Sequence, residues 1–513
     1  MRPPASTRLP DGFTAVLDHR VQVLDGSLDG PDGGGAVLLG GSPATILRLT
    51  PAARRLLRDG RVVVRDRVSA ALARRLLDAG LAVPVPPAVR TPPVTVVVPV
   101  RDNATGLERL LGALRATCDP REVLVVDDGS ADPAAVAAVA GRHQARLLRH
   151  RRSRGPAAAR NTGLAAATTP LVAFCDSDVV PGEPGWLAAL SAHFADPALA
   201  LAAPRILSLD SGGAGEPGWI ADYERVRSSL DLGPDPGPVR PTSAVAYVPS
   251  AAVVVRAGAV GQGFDPRLRV AEDVDLVFRL QRAGWRLRYL PEITVAHEHR
   301  TALRPWLARK AFYGTGAAPL AARHPGQVPP VRLAPWTALA CGLVLVQRRW
   351  SVLVAAAATL LATVRLSRSL TGLRRRGRLA AWLAGKGLGG AAWQSAAALV
   401  RHWWPAAASA CLVSRRARRA VAVAACAEGV ADWWWRGREA PLLPYLLAHR
   451  LDDLAYGAGL WRGVLRQRTV APLLPQVVRR TRPGGRSAAG PVRRRAGRME
   501  HGMYRPTGPR PSG

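Results

Sequence analysis

Between Val94 and Cys175, short β-branched apolar runs alternate with segments of helical period. Val94–Val98 is almost continuously β-branched, as a strand covered on both faces of a parallel sheet must be. Gly106–Ala116 reads as a helix, Glu122–Val126 as a strand, and Pro133–Arg142 as a helix. Ala145–Arg149, the helix Ala157–Ala167 and the strand Leu171–Cys175 continue the series. Such alternation predicts an α/β fold: a doubly wound, mostly parallel sheet that receives ligands beyond the carboxyl ends of its strands.

The polar residues fall at those ends. Val98-Pro99-Val100-Arg101-Asp102-Asn103 closes the first strand, and Val126-Asp127-Asp128-Gly129-Ser130 the second. The third signal is Gly155–Gly163, which contains Arg160; the fourth is Asp176-Ser177-Asp178. Further on, Glu272-Asp273-Val274-Asp275-Leu276 opens an amphipathic helix that runs to Gly284, and His297 follows a strand-like segment at Trp285–Tyr289. A carboxylate after a strand can accept hydrogen bonds from a base N–H or a ribose hydroxyl. Closely spaced carboxylates are hard oxygen ligands that suit Mg²⁺ or Mn²⁺ beside a substrate phosphate. An Asp-Asp-Gly-Ser turn or a lone Asp-x-Asp is common without any function. Four such signals in order at successive strand ends are not.

Over residues 94–299 this set resembles the nucleotide-sugar-dependent glycosyltransferases of family 2, which have the Rossmann-like A-type fold. The resemblance implies that Asp127 contacts the nucleotide base, with Asp102 and Asp128 at the same site. Arg160 shapes the donor pocket. Asp176 and Asp178 handle the metal and the donor's ribose and diphosphate, and His297 is a further candidate metal ligand, with His299 competing for that part. Asp273 is the implied general base that deprotonates the acceptor hydroxyl. The chemistry agrees, because an inverting displacement needs a base on the acceptor side and a neutralised diphosphate on the other. Processive members carry Gln-x-x-Arg-Trp after the base motif. Here Gln347-Arg348-Arg349-Trp350 is one residue short and far downstream, and reads as a charged turn between apolar helices.

At 513 residues the chain needs more than one core. Five segments are expected: a small unit at 12–86, a proline-rich linker at 87–93, the transferase at 94–330, a basic and apolar helical region at 331–475, and a disordered tail at 476–513. In the first unit, strands at Thr14–Leu17, Val21–Leu24 and Ala36–Leu39 precede two helices, one capped by Thr50 and one, Ala70–Ala79, by Ser69. The pattern resembles the winged-helix PqqD-like domains that recognise peptides. A structural cap is the plain alternative.

The formal charge is +34, and all but Lys310 and Lys386 of the 71 basic residues are arginine. So general a bias is a compositional habit, and no nucleic-acid partner is expected from it. No acidic residue lies between Glu298 and Glu428. With its arginines and tryptophans, this stretch suits an anionic membrane surface. Its apolar runs Ala334–Val346, Ser351–Val364, Leu388–Val400 and Ala406–Val413 each fall short of the roughly 20 residues a spanning helix needs. Five scattered cysteines and the absence of an apolar leader point to the cytoplasm.

The three parts together resemble the glycosyltransferases of mycofactocin biosynthesis. That resemblance implies UDP-glucose as donor and a peptide-derived redox cofactor as acceptor. One alternative is a family 2 enzyme at a membrane surface, acting on a lipid-linked or cell-envelope acceptor. Another is a basic nucleic-acid- or lipid-binding protein with a degenerate core, against which the retention of Asp127, Asp178 and Asp273 argues.

Overall fold

A computed structural model describes residues 3, 8–25, 36–88, 91–209, 218–241, 243–373 and 375–478. The first unit contains β1 (Thr14–Leu17), β2 (Gln22–Asp25), β3 (Val37–Gly40), β4 (Thr45–Arg48), α1 (Pro51–Leu56), β5 (Arg61–Val63), α2 (Arg67–Ala79) and β6 (Ala82–Val85). Two antiparallel sheets, β5-β1-β6 and β2-β3-β4, pack with the helices around Phe13, Leu38, Leu76 and Leu77. Thr50 caps α1, its hydroxyl accepting from the Ala53 N–H at 3.2 Å. Ser69 does not cap α2. The helix begins three residues earlier, where the Asp66 carboxylate accepts from the Ser69 N–H at 2.7 Å and the Ser69 hydroxyl accepts from the Asp66 N–H at 3.0 Å. This reciprocal pair satisfies two of the helix's free donors.

The central sheet is built from β7 (Val94–Val100), α3 (Ala104–Thr117), β8 (Glu122–Asp127), α4 (Pro133–Arg142), β9 (Arg146–Arg149), α5 (Pro156–Ala166) and β10 (Leu171–Cys175). It continues through β11 (Val179–Pro181), α6 (Trp186–Ala192), β12 (Leu199–Ser208), α7 (Trp219–Arg227), β13 (Gly237–Pro238), β14 (Ala252–Arg256), α8 (Ala257–Val260), α9 (Glu272–Arg282) and β15 (Arg286–His297). The order is β11-β15-β12-β14-β10-β7-β8-β9, with β13 on β15. Val96 and Val98 face α3 and α4, while Val97 joins Leu124, Val126 and Phe174 on the other face. All three valines are fully buried, which is why the run is unbroken by polar residues.

The sheet is mixed rather than mostly parallel. Strands β10, β7, β8 and β9 pair in parallel, but β14 runs antiparallel to both β10 and β12. It enters after a long excursion from β12 and not through a βαβ crossover, so nothing forces it to be parallel.

Beyond the sheet come α10 (Leu303–Gly314), α11 (Ala317–Arg323), β16 (Arg332–Leu333), α12 (Pro335–Leu345), α13 (Arg349–Ser369), α14 (Arg376–Arg401), α15 (Trp404–Val413), α16 (Arg415–Asp432), α17 (Leu442–Gln467) and β17 (Gln476–Val477). Gln347 and Arg348 form the expected turn between α12 and α13. The apolar run Ser351–Val364 lies within a longer helix, however. Its helix takes in Arg349 and continues through Arg365 and Arg368 to Ser369, because nothing breaks it before Gly372. It has 21 residues, and its most apolar 18-residue stretch, of which 11% is buried, has a mean hydropathy of 1.6, so by length and composition it is long and apolar enough to cross a membrane. The expected disordered tail begins inside described structure, since β17 pairs with β16; residues 479–513 lie outside the described residues.

The three regions are joined by direct contacts. Arg74 Nη2 lies 2.6 Å from Asp196 Oδ1, and Arg286 Nε lies 2.7 Å from Asp78 Oδ1, which ties α2 to the sheet. Val37 packs with Leu370, Leu373 and Ala380 of the C-terminal helices. Helix α17 lies backbone to backbone on α10. A Cβ at Gly459 would stand 1.7 Å from the Ala311 carbonyl oxygen, and one at Gly314 would stand 2.1 Å from that of Tyr456.

Candidate active site

A cavity of about 810 Å³ opens beyond the carboxyl ends of β7, β8 and β10. Its walls include the strand-end loops, the loop of Tyr247, the start of α9, helix α10, and Arg401 and Tyr456 of the C-terminal helices. That volume is at the upper end of what a single small ligand fills.

The loops on the first side are held by their own carboxylates. Asp128 lines the cavity. It accepts from His150 Nδ1 at 2.7 Å, the Ser153 hydroxyl at 2.8 Å, the Arg154 N–H at 2.9 Å and the Gly155 N–H at 2.8 Å. Burial raises this carboxyl, but those donors outweigh it and hold Asp128 below the usual carboxylate range. Gly129, at φ +75°, lets the two loops meet, because a Cβ there would stand 2.7 Å from the Ser153 nitrogen. Asp127 is fully buried and does not line the cavity. One of its oxygens accepts from the Ser130 N–H at 2.9 Å; the other lies 3.3 Å from Arg149 Nε and has no hydrogen-bond donor. Asp102 also stands off the cavity. At φ +53°, it accepts from the Ala131 N–H at 2.8 Å and so fixes the neighbouring turn.

Arg160 lies at the centre, buried on α5 and facing the ring of Phe264 at 5.4 Å. Its Nη2 donates to Asp176 Oδ1 at 2.7 Å and its Nη1 to Glu272 Oε1 at 2.8 Å. The guanidinium thus joins the end of β10 to the start of α9. Burial opposes its charge, but the two carboxylates more than compensate and raise it above its usual range. Burial, with the like charge of Asp178, pushes Asp176 up. Burial acts on Asp178 too, but the neighbouring His297 ring outweighs it and lowers that carboxyl.

His297 Nε2 lies 3.2 Å from Asp178 Oδ1, within ion-pair range but out of line for a hydrogen bond, so that buried oxygen has no donor. His297 Nδ1 has no partner either. An orphaned carboxylate oxygen, a second carboxylate two residues away and an imidazole make an oxygen and nitrogen donor set that fits Mg²⁺ or Mn²⁺. His299 stacks behind His297 at 5.1 Å between ring centroids, does not line the cavity, and faces Glu224 at 3.8 Å. Glu428, His449 and Asp453 also bring ligand atoms within 4.8 Å of one another. There Arg450 Nη2 touches Glu428 and lies 3.2 Å from Asp453, so this group already holds its cation.

Helix α9 begins behind Ala271, a non-glycine residue at φ +64°. Its first turn carries three acids with different surroundings. Glu272 is bound to Arg160. Asp275 turns away to Arg279 at 2.7 Å and His324 at 2.8 Å. Asp273 faces the cavity, half-buried, and accepts only from the N–H groups of Ser250 at 3.2 Å and Val274 at 2.8 Å. Burial, then the like charge of Glu272, pushes it up to about 6. Strand and helix ends therefore bring together Asp128, Arg160, Asp176, Asp178, Asp273 and His297 around one cavity.

The sequence reading missed the far wall, which includes Tyr247, Arg309, Lys310, Arg401, Asp452 and Tyr456. Lys310 Nζ lies 2.7 Å from Glu224 and 3.5 Å from Asp452, so it links the sheet-side helices to α17. Two signals stood in the sequence. Lys310 is one of only two lysines, and Asp452-Asp453 is an acidic pair in an acid-poor stretch.

The family model for glycosyl transferase family 2 matches residues 95–234, and that for glycosyl transferase family group 2 matches residues 171–404. The pre-mycofactocin glycosyltransferase of Mycobacterium tuberculosis (strain CDC 1551 / Oshkosh) is 49% identical over 483 residues, covering 92% of this chain and 99% of that protein. The chain is a family 2 glycosyltransferase. Within the family it is most like the mycofactocin one, as its three-part sequence suggested. The succinoglycan biosynthesis protein ExoU of Rhizobium meliloti (strain 1021) is 34% identical over 99 residues, 18% of this chain and 29% of its own. A mannosyltransferase from Pyrobaculum calidifontis, solved with GDP-Man and Mn²⁺, superposes with a TM-score of 0.36 at 21% identity, over 72% of this chain and 89% of that one. As a family 2 member, this glycosyltransferase uses a nucleotide-sugar donor.

Replacing Arg160 tests the central bridge. Arg160→Met leaves Asp176 and Glu272 without their counter-charge, and stability is expected to fall by about 3–5 kcal/mol. Urea unfolding reads this directly, and an unchanged midpoint would contradict the bridging role.

Proposed function

We propose that this glycosyltransferase moves a glucose unit from UDP-glucose onto a hydroxyl of a peptide-derived small molecule, the pre-mycofactocin of its relative's name, with inversion at the anomeric carbon. The observation that carries the reading is Asp273. Of the three acids opening α9, it alone faces the cavity without a basic partner. Its carboxylate takes the proton from the acceptor hydroxyl as that oxygen attacks the anomeric carbon. The bond from that carbon to the diphosphate breaks, and the nucleoside diphosphate leaves with the electron pair. Glu272, the carboxylate next to Asp273, is engaged by Arg160, so among the described acids opening α9 no second one is left free to act as a nucleophile. This favours a single displacement.

On the donor side, Asp128 lines the cavity where Asp127 was expected to meet the base, while Asp127, buried behind it, and Asp102 would hold the loops around the nucleotide. Asp176, Asp178 and His297 would hold Mg²⁺ or Mn²⁺, which when bound neutralises diphosphate charge. Arg160 fixes Asp176 against the start of α9, so the donor and acceptor sides share one rigid frame. The unit at 12–86 is assigned to recognition of the peptide-derived acceptor, on its resemblance to PqqD-like domains, and the proposed division of the chain is the one expected above, except that the helical region runs on through β17.

A second reading, a lipid-linked acceptor at an anionic cytoplasmic membrane face, is favoured by α13, where Leu353 is 70% and Leu360 65% exposed. Arginines lie at both ends of that helix and Trp350 in its first turn.

Asp273→Asn should lower turnover by about 10²–10⁴-fold, the usual share of a general base, with UDP-glucose affinity nearly unchanged. Surviving activity would remove Asp273 from the role. The parent enzyme's kcat/KM should rise with pH through about 6, where Asp273 loses its proton, because only the charged carboxylate accepts one. A profile flat from pH 5 to 8 would refute that assignment. Asp178→Ala should weaken UDP-glucose binding in the presence of Mn²⁺ or Mg²⁺ and leave metal-free binding unaltered, as titration calorimetry would show; equal affinities would remove Asp178 from the metal. Flotation with phosphatidylglycerol vesicles tests the second reading, which requires co-flotation that salt reverses; a protein left at the bottom of the gradient would count against it.

A further inference from the structure

The donor-side features all lie on strand-end loops, whereas the opposite wall belongs to other elements. Tyr247, Phe312, Tyr313 and Tyr456 bring four aromatic rings to the same cavity, and Arg401 lies over the Tyr456 ring at 4.1 Å. Tyr247 is 40% exposed to that space, and its hydroxyl has no hydrogen-bond partner among the described residues. The Ser250 N–H, three residues beyond Tyr247, donates to Asp273 at 3.2 Å, which sets that loop beside the carboxylate; enclosure by the cavity walls, then Tyr456, then Asp273 push the Tyr247 phenol up to about 12. Arg401 is anchored from behind by Asp453 at 3.2 Å, leaving its flat face on Tyr456. The close backbone packing at Gly459 and Gly314 fixes α17, and with it Tyr456, against α10.

A general base meets the acceptor and not the diphosphate, so the rings that share the cavity with Asp273, Tyr247 on the loop that bonds its carboxylate among them, are where an acceptor would rest. Aromatic rings hold flat apolar faces by stacking, and a guanidinium lying on one of them extends that surface. We propose that α14 and α17, through Arg401 and Tyr456 and together with Tyr247, form the acceptor subsite and select an acceptor that presents a planar ring beside its reacting hydroxyl. This inference rests on the reaction proposed above. It adds that the C-terminal helices, and not only the transferase sheet, choose the substrate.

The test uses the full chain with UDP-glucose, Mn²⁺ and pre-mycofactocin, read by steady-state kinetics. Tyr456→Ala and Tyr247→Leu should each raise the acceptor KM by about tenfold, the worth of one ring-stacking contact. The KM for UDP-glucose and its slow metal-dependent hydrolysis without acceptor should stay at the parent value, and Tyr456→Phe, which keeps the ring, should behave as the parent. Tyr247→Leu guards against misfolding of the first variant, since Tyr247 makes no hydrogen bond that its loss would break. Unchanged acceptor KM in both variants, or an equal loss of donor hydrolysis, would overturn the subsite while leaving the reaction intact. No transfer to pre-mycofactocin by the parent enzyme, with donor hydrolysis present, would instead overturn the acceptor reading and this inference with it. Running the once-glycosylated product as acceptor separates a subsite for the original ring from one for a sugar ring: only the former loses selectivity for the unglycosylated acceptor in Tyr456→Ala.

Discussion

One buried guanidinium ties this site together. Arg160 reaches from α5 to a carboxylate at the end of β10 and to another at the start of α9, two elements about a hundred residues apart in sequence. Removing a charge of this kind from water is costly, and only its two partners offset the cost. The arrangement therefore exists in one geometry or not at all. The residues beside those partners, Asp178 and Asp273, inherit their spacing from it. The bridge also gives neighbouring acids different surroundings, since Glu272 is held by the guanidinium and Asp273 faces the cavity without a basic partner.

Much of this was legible in the sequence because parallel strands buried on both faces must be written as unbroken apolar runs. Val94–Val98 and Leu171–Cys175 read as strands for that reason, and the acids follow at their ends. Strand direction was not legible. Ala252–Arg256 is as β-branched as its neighbours, and nothing local says that it runs against them. Nor could Asp127 and Asp128 be told apart, since adjacent residues at a strand end point to opposite sides and only the fold decides which side is open. Counting apolar residues also misjudged α13, because arginines end a hydropathic run without ending a helix.

The far wall escaped for a different reason. Tyr456 is held at the cavity by packing on α10, more than a hundred residues earlier, and Arg401 by α17, and no spacing in the chain records such meetings. What the sequence did carry was rarity: a lysine among arginines and an acidic pair where acids are scarce. Both mark a buried ionic link, Lys310 with Glu224 and Asp452. In a chain of strongly biased composition, departures from the bias carry more information than the bias itself.

The glycines between α10 and α17 bear on how divisible this enzyme is. Because backbone meets backbone there, with no room for even a methyl group, the two helices behave as one slab rather than as a fold with an appendage. A family 2 domain cut at its usual length would lose one side of its own reaction chamber and open the cavity to bulk water. Substitutions in those distal helices would then reshape the cavity while the acids at the strand ends stayed as they are.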